Sequence, residues 1–340
     1  MRIAIDCDPG NGVPGANTDD GLALGLAVTA PELQLELVTT VAGNTPADVG
    51  AAVARELFRE WRVDVAVVAG SRAPLVRDPA PWRRLLDRED LSEEHRRLWD
   101  GIPRPLAAGG GETDDGGLAA ARALARLVRA NPGEITVVAL GPLTNLARAL
   151  RLDPAFARNV AGIAIMGGAL SVPGRAVDTN FGYDPHAAHA VLTSGARVTV
   201  VPLDTTISTM LTPRDLDRLR RIGSPIAESL ARTTAPWLRY SAETRGIPGC
   251  WLHDVLVVAM LVDPSIVTRR RGRLSVSLDE GPAQGAAAFF PGDDPDRDDL
   301  GGDDPDRDDP DRDDPGAPVA LVDGVDNAGL LEVFFGALTR

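Results

Sequence analysis

The chain has 340 residues, 44% of them hydrophobic and 25% charged, and a formal net charge of −14. This length supports a substantial buried core, and no apolar run reaches the ~20 residues that span a bilayer. Residues 293–314 hold thirteen Asp and three Arg, so the remaining chain carries only about −4. A chain without a basic patch is not expected to bind nucleic acid. The N-terminus enters a strand-like segment without a targeting leader, which predicts a cytoplasmic protein.

Strand-like and helix-like segments alternate along the first two thirds of the chain. The strand-like segments are rich in Val, Ile, Leu and Thr, and they cover residues 2–6, 35–42, 64–69, 135–140, 161–166 and 197–203. The helix-like segments cover residues 19–30, 46–60, 116–131, 143–151 and 184–194. This alternation predicts an α/β fold of Rossmann type, with an open, mainly parallel sheet flanked by helices. Ligands of such sheets bind beyond the carboxyl ends of the strands, so polar residues that follow strands are candidates for the site.

Residues 76–115 interrupt the alternation within what we predict to be a single domain, residues 1–340. They combine prolines, a charged helix-like piece at 91–100 and the run Gly109-Gly110-Gly111. Long excursions of this kind in a compact domain are often active-site lids. We therefore interpret residues 76–115 as a lid-like excursion near the site.

A second interruption, residues 292–316, repeats the sequence Asp-Asp-Pro-Asp-Arg. Its low hydrophobicity, high charge and regular prolines predict a disordered acidic loop. Apolar segments flank it at 286–290 and 319–322. We expect these two segments to pair as a hairpin, with the repeat at its tip.

Four carboxylates lie between the end of the first strand and the start of the first helix. The strand ends in Asp6-Cys7-Asp8-Pro9-Gly10, and Asp19-Asp20 follow an eight-residue loop, Asn11 to Thr18. Close carboxylates raise one another's pKa strongly unless a cation lies among them. Oxygen ligands without a Cys or His cluster favour Ca²⁺ or Mg²⁺ over zinc. An ordinary acidic helix cap is the alternative interpretation.

Two further motifs stand at element boundaries. His253-Asp254 precedes an apolar helix-like segment, 255–261, where Asp254 is either a helix cap or a metal ligand and His253 a candidate proton donor. Gly141 follows a strand, and its conformational freedom would allow a sharp turn that aims a backbone carbonyl into the site.

Short polar side chains also follow strands. Asn44, Asp178 and Asn180 have the hydrogen-bonding groups that hold sugar hydroxyls, although Asn and Asp are also common in turns. Aromatic residues upstream of His253 are candidates either for stacking on a base or for the core: Trp237, Tyr240 and Trp251.

In their order along the chain, these motifs resemble the inosine-uridine-preferring nucleoside hydrolases. The matching segments are Asp6-Cys7-Asp8-Pro9-Gly10 with Asp19-Asp20, Val41-Ala42-Gly43-Asn44, Leu140-Gly141-Pro142-Leu143-Thr144-Asn145-Leu146-Ala147, Met166-Gly167-Gly168, Asp178-Thr179-Asn180, Asp184-Pro185, Pro202-Leu203-Asp204 and His253-Asp254. The resemblance implies a hydrolase of nucleoside catabolism or salvage that cuts the N-glycosidic bond of ribonucleosides, giving free base and ribose.

The resemblance also implies roles for individual residues. Ca²⁺ would be held by Asp8, Asp20, Asp254 and the backbone carbonyl of Leu140, and Asp8 would also be the base that activates a water molecule on the ion. The ribose hydroxyls would be held by Asp19, Asn44, Asp178 and Asn180, with Met166 packed against the sugar. Asp6 would support the metal ligands from behind, and His253 would face the nucleobase and help to protonate it. A homodimer or homotetramer is implied as well.

The chain departs from the family pattern at three places. Eight residues, instead of one, separate Gly10 from the Asp pair, and this loop either folds outward or reshapes the ribose pocket. Asp178 stands where the family usually has the longer Glu. The family's His-Gly segment after the third strand is not found in 76–115, where His95 lies in a charged helix-like piece. Two rival hypotheses remain: a non-catalytic nucleoside- or ribose-binding protein that keeps the calcium site, and a hydrolase of another N-riboside, such as nicotinamide riboside.

Overall fold

The computed structural model describes residues 1–103, 116–292 and 316–339. Its strands form one nine-stranded sheet in the order β3-β2-β1-β4-β5-β6-β9-β7-β8. The strands are β1 Arg2–Cys7, β2 Gln34–Thr40, β3 Val67–Ala69, β4 Ile135–Ala139, β5 Gly162–Met166, β6 Val198–Val201, β7 Val267–Val276, β8 Ala287–Pro291 and β9 Ala317–Val325. Neighbouring strands from β3 to β9 run parallel, and β7 runs antiparallel to both β9 and β8. The predicted α/β fold with an open, mainly parallel sheet is confirmed.

Helices cover both faces of the sheet. In the described residues they are α1 Asp19–Thr29, α2 Ala47–Trp61, α3 Ala80–Leu86, α4 Glu93–Arg96, α5 Ala119–Ala130, α6 Thr144–Leu152, α7 Phe156–Asn159, α8 Thr179–Tyr183, α9 Pro185–Leu192, α10 Leu203–Thr206, α11 Pro213–Ile222, α12 Pro225–Arg245, α13 His253–Val262 and α14 Asn327–Leu338, with short 3-10 turns at Arg97–Trp99 and Pro264–Ile266. The predicted strands and helices before residue 204 all appear as the predicted type, with ends within three residues of those expected. No helix among them is long and apolar enough to cross a bilayer.

The core lies in two layers, one on each face of the sheet. Ile3 and Ile5 of β1 pack with α1, α2, α12, α13 and α14, whereas Ala4 packs with α5, α6 and α9 on the other face. Successive side chains of a strand point to opposite faces, and both faces of β1 are covered, so residues 3–5 in the middle of the strand are all apolar. The two cysteines, Cys7 and Cys250, are free and buried.

The predicted hairpin between 286–290 and 319–322 is wrong. These segments form β8 and β9, and β7 lies between them, paired antiparallel with each. The β7 segment was not predicted as a strand, because Arg269, Arg270 and Arg271 break its apolar pattern. Except for its first and last residues, the acidic repeat lies outside the described residues.

Candidate active site

The candidate site lies where the strand order changes direction. The chain proceeds from β1 to β2 and β3 on one side and continues with β4, β5 and β6 on the other. Such a switch point leaves a crevice at the carboxyl ends of the two central strands, here β1 and β4. A cavity of about 490 Å³ occupies this position. Ten predicted site residues line it: Asp8, Asp19, Asp20, Asn44, Leu140, Met166, Asp178, Asn180, His253 and Asp254.

Four buried carboxyl groups form the floor of this cavity. Oxygen atoms of Asp19, Asp20 and Asp254 lie within 4.8 Å of one another. The side chains of Asp8 and Asp254 both contact that of Asp20, and the Asp8 amide donates to Asp20 Oδ1 at 3.0 Å. The N-terminal ends of α1 and α13 meet here, and the Asp254 amide donates to Asp19 Oδ2 at 3.4 Å. The structure thus brings together acids from β1, α1 and α13.

The carboxyl groups of the floor are electrostatically strained when no cation is among them. Burial raises the pKa of Asp19 to about 7. Burial, followed by repulsion from Asp19, raises the pKa of Asp20 to about 7. Burial and the neighbouring acids also raise the pKa values of Asp8 and Asp254 well above their usual range. A hard divalent cation fits such a set, because all the donors are oxygens and their mutual repulsion would be neutralised.

Asp8 is held by the backbone after β2. The Asn44 amide donates to Asp8 Oδ2 at 2.6 Å. This approach requires a glycine before Asn44, because a Cβ on Gly43 would lie 1.8 Å from the same oxygen. A Cβ on Gly141 would lie 3.1 Å from the Asp8 carboxyl carbon and 2.7 Å from Val41. Gly141 therefore allows the close approach of Asp8 and Val41 to the turn after β4, and its backbone is not in the left-handed region.

Asp6 lies behind the floor, fully buried and outside the cavity lining. Its Oδ1 accepts hydrogen bonds from Thr39 Oγ1 at 2.6 Å and Asn145 Nδ2 at 2.8 Å. Its Oδ2 has no partner among the described residues. Burial raises the pKa of Asp6 to about 6. The supporting role that the resemblance implies for Asp6 stays a prediction.

Asp178 and Asn180 form the side of the cavity next to β4 and β5. Asp178 caps α8, accepting from the amides of Asn180 and Phe181, and also accepts from Gly168 at 2.8 Å. Burial nevertheless raises the pKa of Asp178 to about 6. Asn180 Nδ2 donates to the carbonyls of Leu140 at 2.7 Å and Met166 at 3.0 Å. The shorter Asp178 is thus anchored by backbone amides at the edge of the cavity.

The inserted loop, residues 11–18, does not fold outward. Asn11 Nδ2 donates to Thr233 Oγ1 at 3.0 Å, and Thr18 Oγ1 lies 3.4 Å from Thr234 Oγ1, so the loop packs against α12. Asn17 lines the cavity. The sequence left two alternatives for this loop, folding outward or reshaping the pocket, and the structure shows the second.

One end of the cavity is aromatic and lies around His253. The His253 ring is 5.6 Å from that of Trp251, and its Nδ1 is 2.7 Å from Thr206 Oγ1. Burial, assisted by nearby Arg175 and Arg245, lowers the pKa of His253 to about 3, so the ring is neutral at pH 7. All three candidate aromatic residues line the cavity: Trp237, Tyr240 and Trp251.

Sequence reasoning missed the residues of the outer wall. The described part of the lid-like excursion contributes Leu85, Leu86 and Arg88 to the cavity, whereas His95 lies outside the lining and contacts Tyr240. Arg83, also in the excursion, donates to the Gly43 carbonyl at 2.7 Å. No local pattern marks these arginines, because their partners are about 40 residues away in sequence.

An acid-lined cavity at the switch point of a parallel sheet, with amide groups on one side and aromatic rings at one end, defines an α/β enzyme for a small polar substrate. Comparison with known proteins identifies the family. A family model for the inosine-uridine preferring nucleoside hydrolases matches residues 3–332. The chain belongs to this family.

Individual relatives are similar over most of their length. The pyrimidine-specific ribonucleoside hydrolase RihA of Klebsiella pneumoniae is 34% identical over 272 residues, 79% of this chain and 81% of the relative. A plant nucleoside hydrolase structure superposes with a TM-score of 0.79 and 30% identity, covering 100% of this chain and 99% of its own. The purine-preferring ribonucleoside hydrolase of Gardnerella vaginalis gives a TM-score of 0.76 and 25% identity, covering 100% and 98%.

Proposed function

We propose that this protein hydrolyses the N-glycosidic bond of ribonucleosides with Ca²⁺ bound at the floor of the cavity. The observation that carries the proposal is the group of four acids, Asp8, Asp19, Asp20 and Asp254, at the floor of a cavity that is also lined by amide groups and aromatic rings. Membership of the nucleoside hydrolase family supports the same reaction.

The residues at the floor fit the proposed ion. Asp8, Asp20, Asp254 and the Leu140 carbonyl would hold Ca²⁺, which takes six to eight oxygen ligands and tolerates irregular geometry. When bound, the ion would neutralise the acids and lower the pKa of a water molecule at the site.

Asp8 is the proposed general base. It lies at the end of β1 with one oxygen fixed by the Asn44 amide, so its direction is set before substrate binds. A positioned carboxylate can take a proton from water as the water attacks the sugar carbon. Holding the base and the sugar together removes part of the entropic cost of the reaction.

The acids around the sugar serve a second purpose. Glycoside hydrolysis passes through a sugar with oxocarbenium character, and fixed negative charge stabilises it. Asp19 and Asp178 line the cavity and are buried. We propose that they accept hydrogen bonds from the ribose hydroxyls and favour the positively charged transition state, as Asn180 and Met166 fix the position of the ring.

His253 is proposed to assist the departing base as a neutral hydrogen-bond donor. Its pKa of about 3 leaves little charged imidazolium at pH 7. Thr206 Oγ1 lies 2.7 Å from Nδ1 and 3.2 Å from the Leu203 carbonyl. When the hydroxyl donates over the shorter distance, Nε2 carries the imidazole proton. That N–H is then available to the base, and Trp251 beside it offers a stacking surface.

The test is ribose release from a panel of purine and pyrimidine nucleosides, in calcium and without phosphate. The panel must include both base classes, because the named relatives comprise pyrimidine-specific and purine-preferring enzymes. Stoichiometric free ribose and base is the expected result. Calorimetric binding of nucleosides without ribose release would instead support the binding-protein hypothesis, and release from nicotinamide riboside alone would support the other N-riboside.

We also propose a cytoplasmic homodimer or homotetramer. This proposal rests on the family resemblance. Light scattering of the purified protein and fractionation of the source cells test its two parts, and a monomer would contradict the first.

A further inference from the structure

The side chain of Asn44 is fully occupied by protein partners. Its Nδ2 donates to the carbonyls of Asp8 at 3.2 Å and Asn17 at 3.0 Å. Its Oδ1 accepts from the Asn17 amide at 3.1 Å and Arg88 Nη2 at 2.6 Å. A carboxamide has two N–H donors and two oxygen lone pairs, so all four positions are used. Asn44 has no hydrogen bond left for a ribose hydroxyl.

Asn17, in the inserted loop, has the free donor that Asn44 lacks. Its Oδ1 accepts from the Thr18 amide at 2.8 Å, which fixes the orientation of the carboxamide. Its Nδ2 makes no hydrogen bond to any residue that the structure describes, and it is not sealed from solvent. The half-buried side chain lines the same cavity as Asp19, two residues along the chain.

The backbone of Asn17 is held by the side chain of Asn44, and Asn44 is held in turn by Arg88. Arg88 donates to the Asn44 carbonyl at 2.8 Å in addition to the Asn44 side chain. Arg88 adopts a left-handed backbone conformation, φ 52°, which is unfavourable for a residue with a Cβ. Backbone strain of this kind persists where surrounding contacts over-determine it, often at functional sites. Arg88, Asn44 and Asn17 thus form a connected clamp.

We propose that Asn17 takes over from Asn44 as the amide that donates a hydrogen bond to a ribose hydroxyl. The inference rests on the proposed function, since it assumes a ribosyl substrate in this cavity. The proposal gives the extra residues between Gly10 and Asp19 a function. They bring the carboxamide of Asn17 to the sugar, and the carboxamide of Asn44 holds Asn17 in place.

The test compares Asn17→Ala with wild type on a ribonucleoside and its 2′-, 3′- and 5′-deoxy analogues. Loss of one neutral hydrogen bond should lower kcat/KM on the ribonucleoside by about threefold to tenfold. On the one analogue that lacks the bonded hydroxyl, the variant and wild type should agree within about twofold. Asn17→Ser, whose hydroxyl can still accept from the Thr18 amide, should show the same pattern and controls for loop disorder.

Asn11→Ala is the matched control, because Asn11 belongs to the same loop but points to Thr233 and does not line the cavity. It should shift kcat/KM equally on all four substrates. An equal loss on every substrate for Asn17→Ala, or no loss on any, overturns the proposal. If wild type releases no ribose, the proposed function has failed, and calorimetric affinities for the same four ligands decide the role of Asn17 by the same pattern.

Discussion

The floor of the cavity and its outer wall are built in different ways. The floor consists of acids at the end of β1 and the starts of α1 and α13, and the register of the sheet fixes where these ends meet. The wall consists of the inserted loop 11–18 and the described part of the excursion after β3, joined by contacts of Asn44 and Arg88. From this difference we propose that the sheet positions the reacting groups and that the loops determine which substrate fits.

The largest expected effect is at the floor. Asp8→Ala should lower kcat by about 10²–10⁴-fold, the usual contribution of a positioned base, and should weaken calcium binding as well. Steady-state kinetics and calcium calorimetry measure the two losses. Asp64→Ala, which removes an exposed carboxylate before β3, is the control and should leave both unchanged. A tenfold loss of kcat corresponds to about 1.4 kcal/mol of activation free energy. An Asp8→Ala variant that retained more than about a tenth of kcat would show that Asp8 is not the general base.

The next effect is at the aromatic end. His253→Ala should lower kcat on natural nucleosides by about tenfold to a hundredfold, because the departing base loses a hydrogen bond in the transition state. With p-nitrophenyl riboside, whose leaving group needs no such assistance, the loss should be under about threefold. Parallel initial rates on the two substrates make the measurement. Equal losses on both would show that His253 acts on the sugar or the fold and not on the base.

A smaller effect is expected at the wall. Arg88→Ala should raise KM by about threefold to tenfold and leave kcat within about twofold, since the clamp orients sugar-binding groups and not the base. Full saturation curves separate the two constants. Arg84→Ala, which removes an exposed arginine of α3 just before Arg88, is the matched control. A loss in kcat as large as that of Asp8→Ala would erase the proposed distinction between floor and wall.

The last expected effect is on stability and not on activity. In the metal-free protein Asp19 and Asp20 have pKa values of about 7, above the unfolded value near 4. The folded state therefore binds protons more tightly, and its stability is lost as pH rises from about 4 through 7. The melting temperature without calcium should therefore fall by several degrees between pH 5 and pH 8.

Calcium should reverse this trend, because the ion binds the deprotonated acids and adds about 2.7 kcal/mol at a concentration 100 times its Kd. Asp20→Asn is the control, and it should flatten the pH dependence without calcium. A metal-free melting temperature that rises toward pH 8 would contradict the electrostatic description of the floor.

The same contrast explains how much could be predicted from sequence. Asp8, Asp20 and Asp254 were found because acids at strand ends and helix starts carry a local signal, and parallel strands bring such ends together. The free donor of Asn17 and the clamp by Arg88 carry no such signal, because they depend on which long side chain satisfies Asn44. The order of β8, β7 and β9 was missed for a related reason: arginines interrupt the apolar pattern of β7, so a strand inserted between two others resembled a loop.

The most direct test of the central claim is calcium removal and restoration during ribose release. Wild-type protein stripped with a chelator, and shown to be metal-free by elemental analysis, should release ribose at less than about a hundredth of its original rate. Addition of Ca²⁺ should restore the rate with a midpoint equal to the calorimetric Kd. Unchanged ribose release from protein proven to be metal-free would contradict the claim that calcium bound at the floor is needed for hydrolysis.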